Sequence, residues 1–205
     1  MSTQPVTPSD REHLARVLTR AFYDDPVVEW AYRARRRERG ARNFFDWSLR
    51  RLTPQDVSWT TEGREGAALW ALPDRWRETP GELLRLLTGT ATAVGLRAPV
   101  VLRGLDRVEK QHPRERHLYL AVLGVEPSRQ GEGLGSKLLQ PGLELCDREG
   151  IPAYLETAKE RNVTFYTRHG FRLTDEVRLP NGPPVWLMWR DPAGTPAAGQ
   201  TSAGG

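Results

Sequence analysis

A mixed α/β sandwich is the fold this sequence predicts, and three observations predict it. Leu118–Val125 is an unbroken apolar run of strand length. A glycine-rich turn and a long helical pattern follow it directly. A further strand, a short helix and a closing hairpin complete a strand–helix–strand–helix–hairpin order, which layers helices on a sheet and does not close a barrel. At 205 residues the chain fits one domain, over 1–191.

The elements follow in order. Ser9 and Glu12 have capping-box spacing, and Leu14, Val17, Leu18, Ala21 and Phe22 recur at helical intervals behind them. Asp24, Asp25 and Pro26 end that helix. A second, short helix over Val27–Tyr32 leads into the basic run Arg33–Arg39, read as a solvated face. Phe44, Phe45, Trp47 and Leu52 belong to a third helix. Val57–Thr61 and Ala67–Leu72 read as a hairpin across a glycine-bearing turn. Residues 80–110 carry a helical pattern around Leu83, Leu84, Leu86 and Leu87, broken near Gly95 and Pro99. After the strand Leu118–Val125, a helix spans about 133–149 with Leu134, Leu138, Leu145 and Cys146 inward and a kink expected at Pro141. Pro152–Thr157 is a strand, Asn162–His169 a short helix, and Gly170 its left-handed cap. Phe171–Leu179 and Val185–Arg190 make the final hairpin. The tail 192–205 is poor in large apolar side chains and is expected to be disordered.

Composition narrows the function. Lys and Arg total 30 against 26 Asp and Glu. The resulting +4 is too mild to mark a nucleic-acid binder, although the pI near 9.6 favours anionic ligands. Lysine occurs only at 110, 137 and 159, so arginine, which suits planar phosphate recognition, carries the positive charge. A single cysteine, Cys146, allows neither an internal disulfide nor a cysteine metal cluster, which fits a reducing, cytoplasmic setting. The start has no apolar stretch for a secretory signal, and the longest apolar run is far short of the ~20 residues a membrane helix needs. No His/Asp/Glu spacing suggests a metal, and no Gly-x-Ser-x-Gly suggests a serine hydrolase.

The chemistry concentrates in Gln130-Gly131-Glu132-Gly133-Leu134-Gly135-Ser136. Three alternating glycines between a strand and a helix leave backbone N–H groups uncovered at a helix N-terminus, where the dipole favours a phosphate. A Walker loop requires Gly-Lys-Ser/Thr and fails here, since the order is Gly135-Ser136-Lys137. A Rossmann fingerprint is a nearer rival, with Gly131, Gly133 and a downstream Glu156. Its third glycine is replaced by Ser136, and too little chain follows for a second mononucleotide half.

Gln130-x-x-Gly133-x-Gly135 after Leu123-Gly124-Val125 resembles the acyl-CoA loop of the GNAT superfamily of N-acetyltransferases. Asn162-Val-Thr-Phe165-Tyr166-Thr-Arg-His-Gly170-Phe171, about 30 residues on, resembles that superfamily's second signature. Within the superfamily, Leu139-Gln-Pro141-Gly142, Leu155-Glu156-Thr157 and 161–171 are most similar to the puromycin N-acetyltransferase subgroup. The likeness is dense over 117–190 and thin before residue 80, where only Ala21-Phe22 and Asp25-Pro26 carry it.

The resemblance implies a mostly antiparallel sheet flanked by helices, with a splay between its central strands. The acyl-CoA half is 117–190 and the acceptor half 9–116. It implies acetyl-CoA as co-substrate, no metal, and direct transfer to a small-molecule primary amine. Leu123, Gly124 and Val125 would bond pantetheine, with the Val125 N–H polarising the thioester carbonyl. The amides of Gln130 to Ser136 would cradle the pyrophosphate, and Asn162, opening its helix, would bond pantetheine or simply cap. Arg129, Lys137 and Arg161 either face phosphates or decorate the surface.

Tyr166 is the candidate general acid for the departing thiolate. Glu156 is the candidate base, or else a strand-end charge bonded to a neighbouring loop. His117 is a second candidate base, with a structural role as its alternative, while His13, His112 and His169 show no partner. Phe22, Tyr23, Trp30 and Tyr32 either line the acceptor pocket or pack the core. Two other function classes stay open at this point: a catalytically silent acyl-CoA sensor and a dinucleotide-binding enzyme.

Overall fold

The computed structural model describes residues 2–194. In chain order its main elements are β1 (Thr3–Pro5), α1 (Arg11–Ala21), α2 (Pro26–Ala31), α3 (Arg37–Leu52), β2 (Ser58–Thr61), β3 (Gly66–Ala71), α4 (Pro80–Val94), α5 (Ala98–Glu109), β4 (Leu118–Val125), α6 (Leu134–Glu149), β5 (Ala153–Thr157), α7 (Glu160–Thr167), β6 (Arg172–Arg178) and β7 (Pro184–Arg190). The strands form one sheet in the order β1-β2-β3-β4-β5-β7-β6, antiparallel throughout except for the central β4–β5 pair. The expected mixed, mostly antiparallel sheet is therefore observed.

Alternation along the central strands sorts the side chains into two layers. Leu118, Leu120, Ala153 and Leu155 join α6 and Tyr166 of α7 in one core. Tyr154, Leu187 and Trp189 join α1 to α5 in the other. A bulge interrupts β4: Leu69 pairs with Val122 but Trp70 with Leu120, leaving Ala121 as the extra residue. The extra residue reverses the phase of β4, so Val122 lies in the α1–α5 core while Leu123 and Val125 belong with α6. Gly124 then meets α1, where an added Cβ would lie 2.8 Å from Leu18 and 2.9 Å from Phe22.

Several predicted boundaries shift for local reasons. The capping box lies at Thr7 and Asp10, two residues before the expected Ser9 and Glu12. The Thr7 N–H and hydroxyl donate to Asp10 Oδ2 at 2.9 and 2.6 Å. A 3₁₀ turn over Pro8–Asp10 precedes α1, and Arg64 holds the buried Asp10. The helix α6 runs through Pro141 to Glu149 without ending. The basic run is mostly exposed, but Arg37 is half-buried and paired with Glu29 at 2.6 Å. The expected disordered tail is tied down at its start, because Ala193 N–H donates to Asp147 Oδ1 at 2.7 Å and Arg190 forks onto the same carboxylate. The remainder of that tail, 195–205, lies outside the described residues. No helix among the described residues is long and apolar enough to cross a membrane.

The α6–sheet contact is close enough to test. Trp70 is fully buried, and a Cβ on Gly142 would sit 2.3 Å from its indole ring. Gly142→Ala gains helix propensity but overpacks this contact, so it is expected to lower stability by about 1–3 kcal/mol. The urea midpoint measures this; an unchanged midpoint would mean that the indole is not fixed against α6.

Candidate active site

The splay expected between the central strands is present. Parallel pairing of β4 with β5 covers only Leu118–Leu120 against Ala153–Leu155, after which β4 continues with β3 and β5 with β7. A cleft of ≈ 480 Å³ opens at this fork, bordered by Leu123–Val125, the glycine loop, Asn162 and Tyr166. Hydrogen-bond alternation decides which backbone groups face it. The Glu126 N–H donates to Glu65 at 2.7 Å. An antiparallel ladder exchanges bonds at every second residue, so Gly124 pairs with Ala67. Leu123 and Val125 therefore turn their amides away from β3, towards the fork. The Val125 carbonyl accepts from Gln130 Nε2 at 3.1 Å, which ties the loop to the strand end.

The loop is a cradle of open donors. Among the described residues, the backbone N–H groups of Gly131, Glu132, Gly133, Leu134, Gly135 and Ser136 have no protein acceptor; the first loop contact of α6 is Lys137 N–H to the Gly133 carbonyl. Gly131 and Gly133 have φ of +86° and +77°, a backbone that side chains resist. A Cβ at either would meet no protein atom within 4 Å, so the space beside them is open. Such convergent amides at a helix N-terminus fit a diphosphate.

The charged residues assigned to this region divide. Arg129 and Arg161 border the cleft, but Arg129 is braced between Glu132 at 2.8 Å and Glu65 at 3.1 Å. Arg161 pairs with Asp24 at 3.3 Å, beside a 2.5 Å Lys159–Asp24 contact. Lys137 is exposed and is not among the residues bordering the cleft. Glu132 serves the Arg129 brace, and Leu134 is buried and borders the cleft.

Contrary to the expectation from sequence, Asn162 does not open its helix. Lys159 is the cap and α7 begins at Glu160; the Asn162 side-chain amide donates to Thr157 Oγ1 at 3.1 Å, still on the cleft wall. Tyr166 lies one turn further along the same wall and is 6 % exposed. Its hydroxyl makes no hydrogen bond to a described residue, and burial pushes the phenol above its ordinary range, so it stays protonated. His169 has a partner that sequence did not reveal: its Nε2 is 3.0 Å from Ser136 Oγ, at the glycine-loop end of the cleft.

Glu156 sits on the opposite face of the sheet from Tyr166, alternating with Leu155 and aligned with Tyr154. Tyr119 donates to its Oε2 at 3.3 Å and Tyr154 to its Oε1 at 3.1 Å. His112 Nδ1 lies 3.5 Å from Oε1, so His112, too, has partners. Burial first, then the Glu156 charge, pushes both phenols up and keeps their protons on. His117 is not at the fork: its Nδ1 is bonded to the Glu115 carbonyl at 2.6 Å, and burial lowers its pKa. The Tyr154/Glu156 alternation was readable in sequence; nothing local signalled His112.

The four aromatics proposed for the acceptor pocket are not brought together. Phe22 borders the cleft and packs on Phe45, ring centroids 5.0 Å apart. Tyr23 is exposed. Trp30 is core: its Nε1–H donates to the Pro180 carbonyl at 3.0 Å, and its ring abuts Gly104 and Gly182. Tyr32 is buried against Gly40, and desolvation raises its phenol. Among the described residues no His/Cys/Asp/Glu group is arranged to hold a metal.

A sheet forked beside an open amide cradle, with protonatable groups on both faces, defines an acyl-transfer enzyme. Residues 30–171 match the profile of the Acetyltransferase (GNAT) family, and the chain belongs to that family. It is 25 % identical to the "Uncharacterized N-acetyltransferase C550.08" of Schizosaccharomyces pombe, over 94 % of this chain and 84 % of that protein. Among solved structures it is similar to a Corynebacterium glutamicum structure described as "histone acetyltransferase HPA2 and related acetyltransferase", with TM-score 0.70, 24 % identity and coverage of 96 % and 98 % of the two chains. It is also similar to arylalkylamine N-acetyltransferase 2 of Aedes aegypti, with TM-score 0.64, 14 % identity and coverage of 92 % and 97 %.

Proposed function

We propose that this acetyltransferase moves the acetyl group of acetyl-CoA directly to the nitrogen of a small-molecule primary amine. The observation that carries the reading is the fork itself: paired strands part after Leu120 and Leu155, and six unsatisfied amides stand at the cleft's end. The loop amides hold the diphosphate. The Leu123 and Val125 backbone groups hold the pantetheine arm, and Val125 N–H donates to the thioester oxygen as charge develops there. One such oxyanion donor is worth about 10²–10³ in rate.

Glu156 takes a proton from the incoming ammonium, freeing the nitrogen lone pair to attack the carbonyl carbon. As the carbon–sulfur bond breaks, Tyr166 gives its phenolic proton to the departing sulfur, and the second proton shed by the nitrogen as it becomes an amide restores the phenol. The two groups serve from opposite faces of the sheet, so acceptor and thioester enter from different sides and meet at the fork. Similarity to an arylalkylamine N-acetyltransferase supports an amine acceptor. The resemblance to the puromycin N-acetyltransferase subgroup adds antibiotic-like amines to the candidates.

Thiol release from acetyl-CoA across a panel of arylalkylamines, polyamines and aminonucleosides tests the reading. Release that depends on one amine class and scales with enzyme is expected. Tight CoA binding with no release for any amine would instead mark a sensor.

A further inference from the structure

We propose that His112 is a positioning residue for Glu156, and that the two side chains act as one proton acceptor. The inference rests on Glu156 being the base. Its argument is a chain of forced tautomers. His117 Nδ1 lies 2.6 Å from the Glu115 carbonyl, a group that only accepts, so that nitrogen carries a proton. His117 is 1 % exposed and burial keeps it neutral, which leaves Nε2 as a bare acceptor. Its neighbour, 3.0 Å away, is His112 Nε2, which must therefore donate. His112 Nδ1 is left facing Glu156 Oε1 at 3.5 Å.

The unloaded pair sets a nitrogen lone pair against a carboxylate, which is repulsive. A proton arriving from the amine turns this contact into an imidazolium–carboxylate pair, which is attractive. No other bond changes: the ammonium loses one proton, and the pair gains it between Oε1 and Nδ1. The surroundings hold this geometry. Trp76 stacks on the His112 ring at 3.5 Å between centroids and 20° between planes, while Tyr119 donates to Oε2 of the carboxylate and Tyr154 to Oε1, the oxygen that His112 also faces. Of the charged groups acting on this cluster, Asp74 and Glu78 come from the segment before α4, Asp175 from β6 and Arg51 from α3. Three carboxylates against one guanidinium favour the proton-loaded, net-neutral pair over the unloaded, net-negative one.

Two measurements test the pair. In ¹⁵N-histidine-labelled protein without ligand, two-bond spectra should show His117 as the neutral Nδ1–H tautomer and His112 protonated at Nε2. The His112 Nδ1 titration should move to lower pH in Glu156→Gln. His117 found as the Nε2–H tautomer, or a His112 titration indifferent to Glu156→Gln, would overturn the proposal. In His112→Gln, assayed with acetyl-CoA and the fastest amine of the panel, the acid limb of kcat/KM should move to lower pH, because the imidazole no longer shares the proton. An unmoved limb would overturn it as well. If Glu156→Gln loses turnover while that limb stays put, the base reading survives and the pair does not. Should His112→Gln fail to fold, the spectra of the wild-type and Glu156→Gln proteins still decide.

Discussion

Tyr166→Phe is expected to lower kcat by about 10²–10⁴-fold, the usual contribution of a positioned general acid, while the affinity for CoA stays nearly unchanged. The substitution removes one oxygen and little else. The Tyr166 ring packs against Phe165 and Phe171, with centroids 5.1 and 5.8 Å away, and phenylalanine keeps those contacts. Since the hydroxyl bonds no described residue, its loss leaves no protein partner unsatisfied, and the thermal midpoint should hold. A stable variant with unchanged CoA titration and collapsed turnover isolates the proton-transfer step. Equal turnover would take Tyr166 out of the mechanism. Burial holds the phenol protonated across the neutral range, so any basic limb in the wild-type profile must come from another group.

What was legible in sequence was local. The apolar run of β4, the alternating glycines and the Gly170 cap each carry their signal within a few residues, and each formed where expected. Contacts made across the chain were not legible. Arg129 reads either as a phosphate ligand or as surface decoration, and neither reading foresees Glu65, 64 residues away, which holds it. Trp30 reads equally as a pocket or a core aromatic, and the bond from its indole N–H to Pro180, 150 residues away, places it in the core. Aromatic character alone states that a side chain will be buried, not whether cleft or core will bury it. His112 is the sharpest case. It sits in the linker between α5 and β4, whose path brings it to Glu156 only when Trp76 and Tyr154 fix it. The β4 bulge was likewise silent, because Ala121 continues the apolar run while reversing the strand's phase.

Gly133→Val should abolish CoA binding while leaving the protein folded, and this separation follows from the space around Gly133. A Cβ there has no protein atom within 4 Å, so valine does not clash with the fold. The cost to the fold is a β-branched residue at φ +77°, of order 1–3 kcal/mol, which circular dichroism would register as a lowered melting temperature. The cost to the ligand is different in kind. The isopropyl group occupies the open side of the cradle, and a diphosphate held off by its width loses bonds from neighbouring amides. Each charge-assisted hydrogen bond contributes about 1.5–3 kcal/mol, so losing two weakens binding by roughly 10²–10⁴-fold. Calorimetry with CoA reads this directly. Gly150→Val supplies the comparison: it imposes the same kind of strain at φ +64°, also in open space, at the far end of α6. It should lower the melting temperature similarly and leave CoA binding intact. If Gly133→Val titrates CoA normally, or if both variants lose binding alike, the loop amides are not what holds the diphosphate.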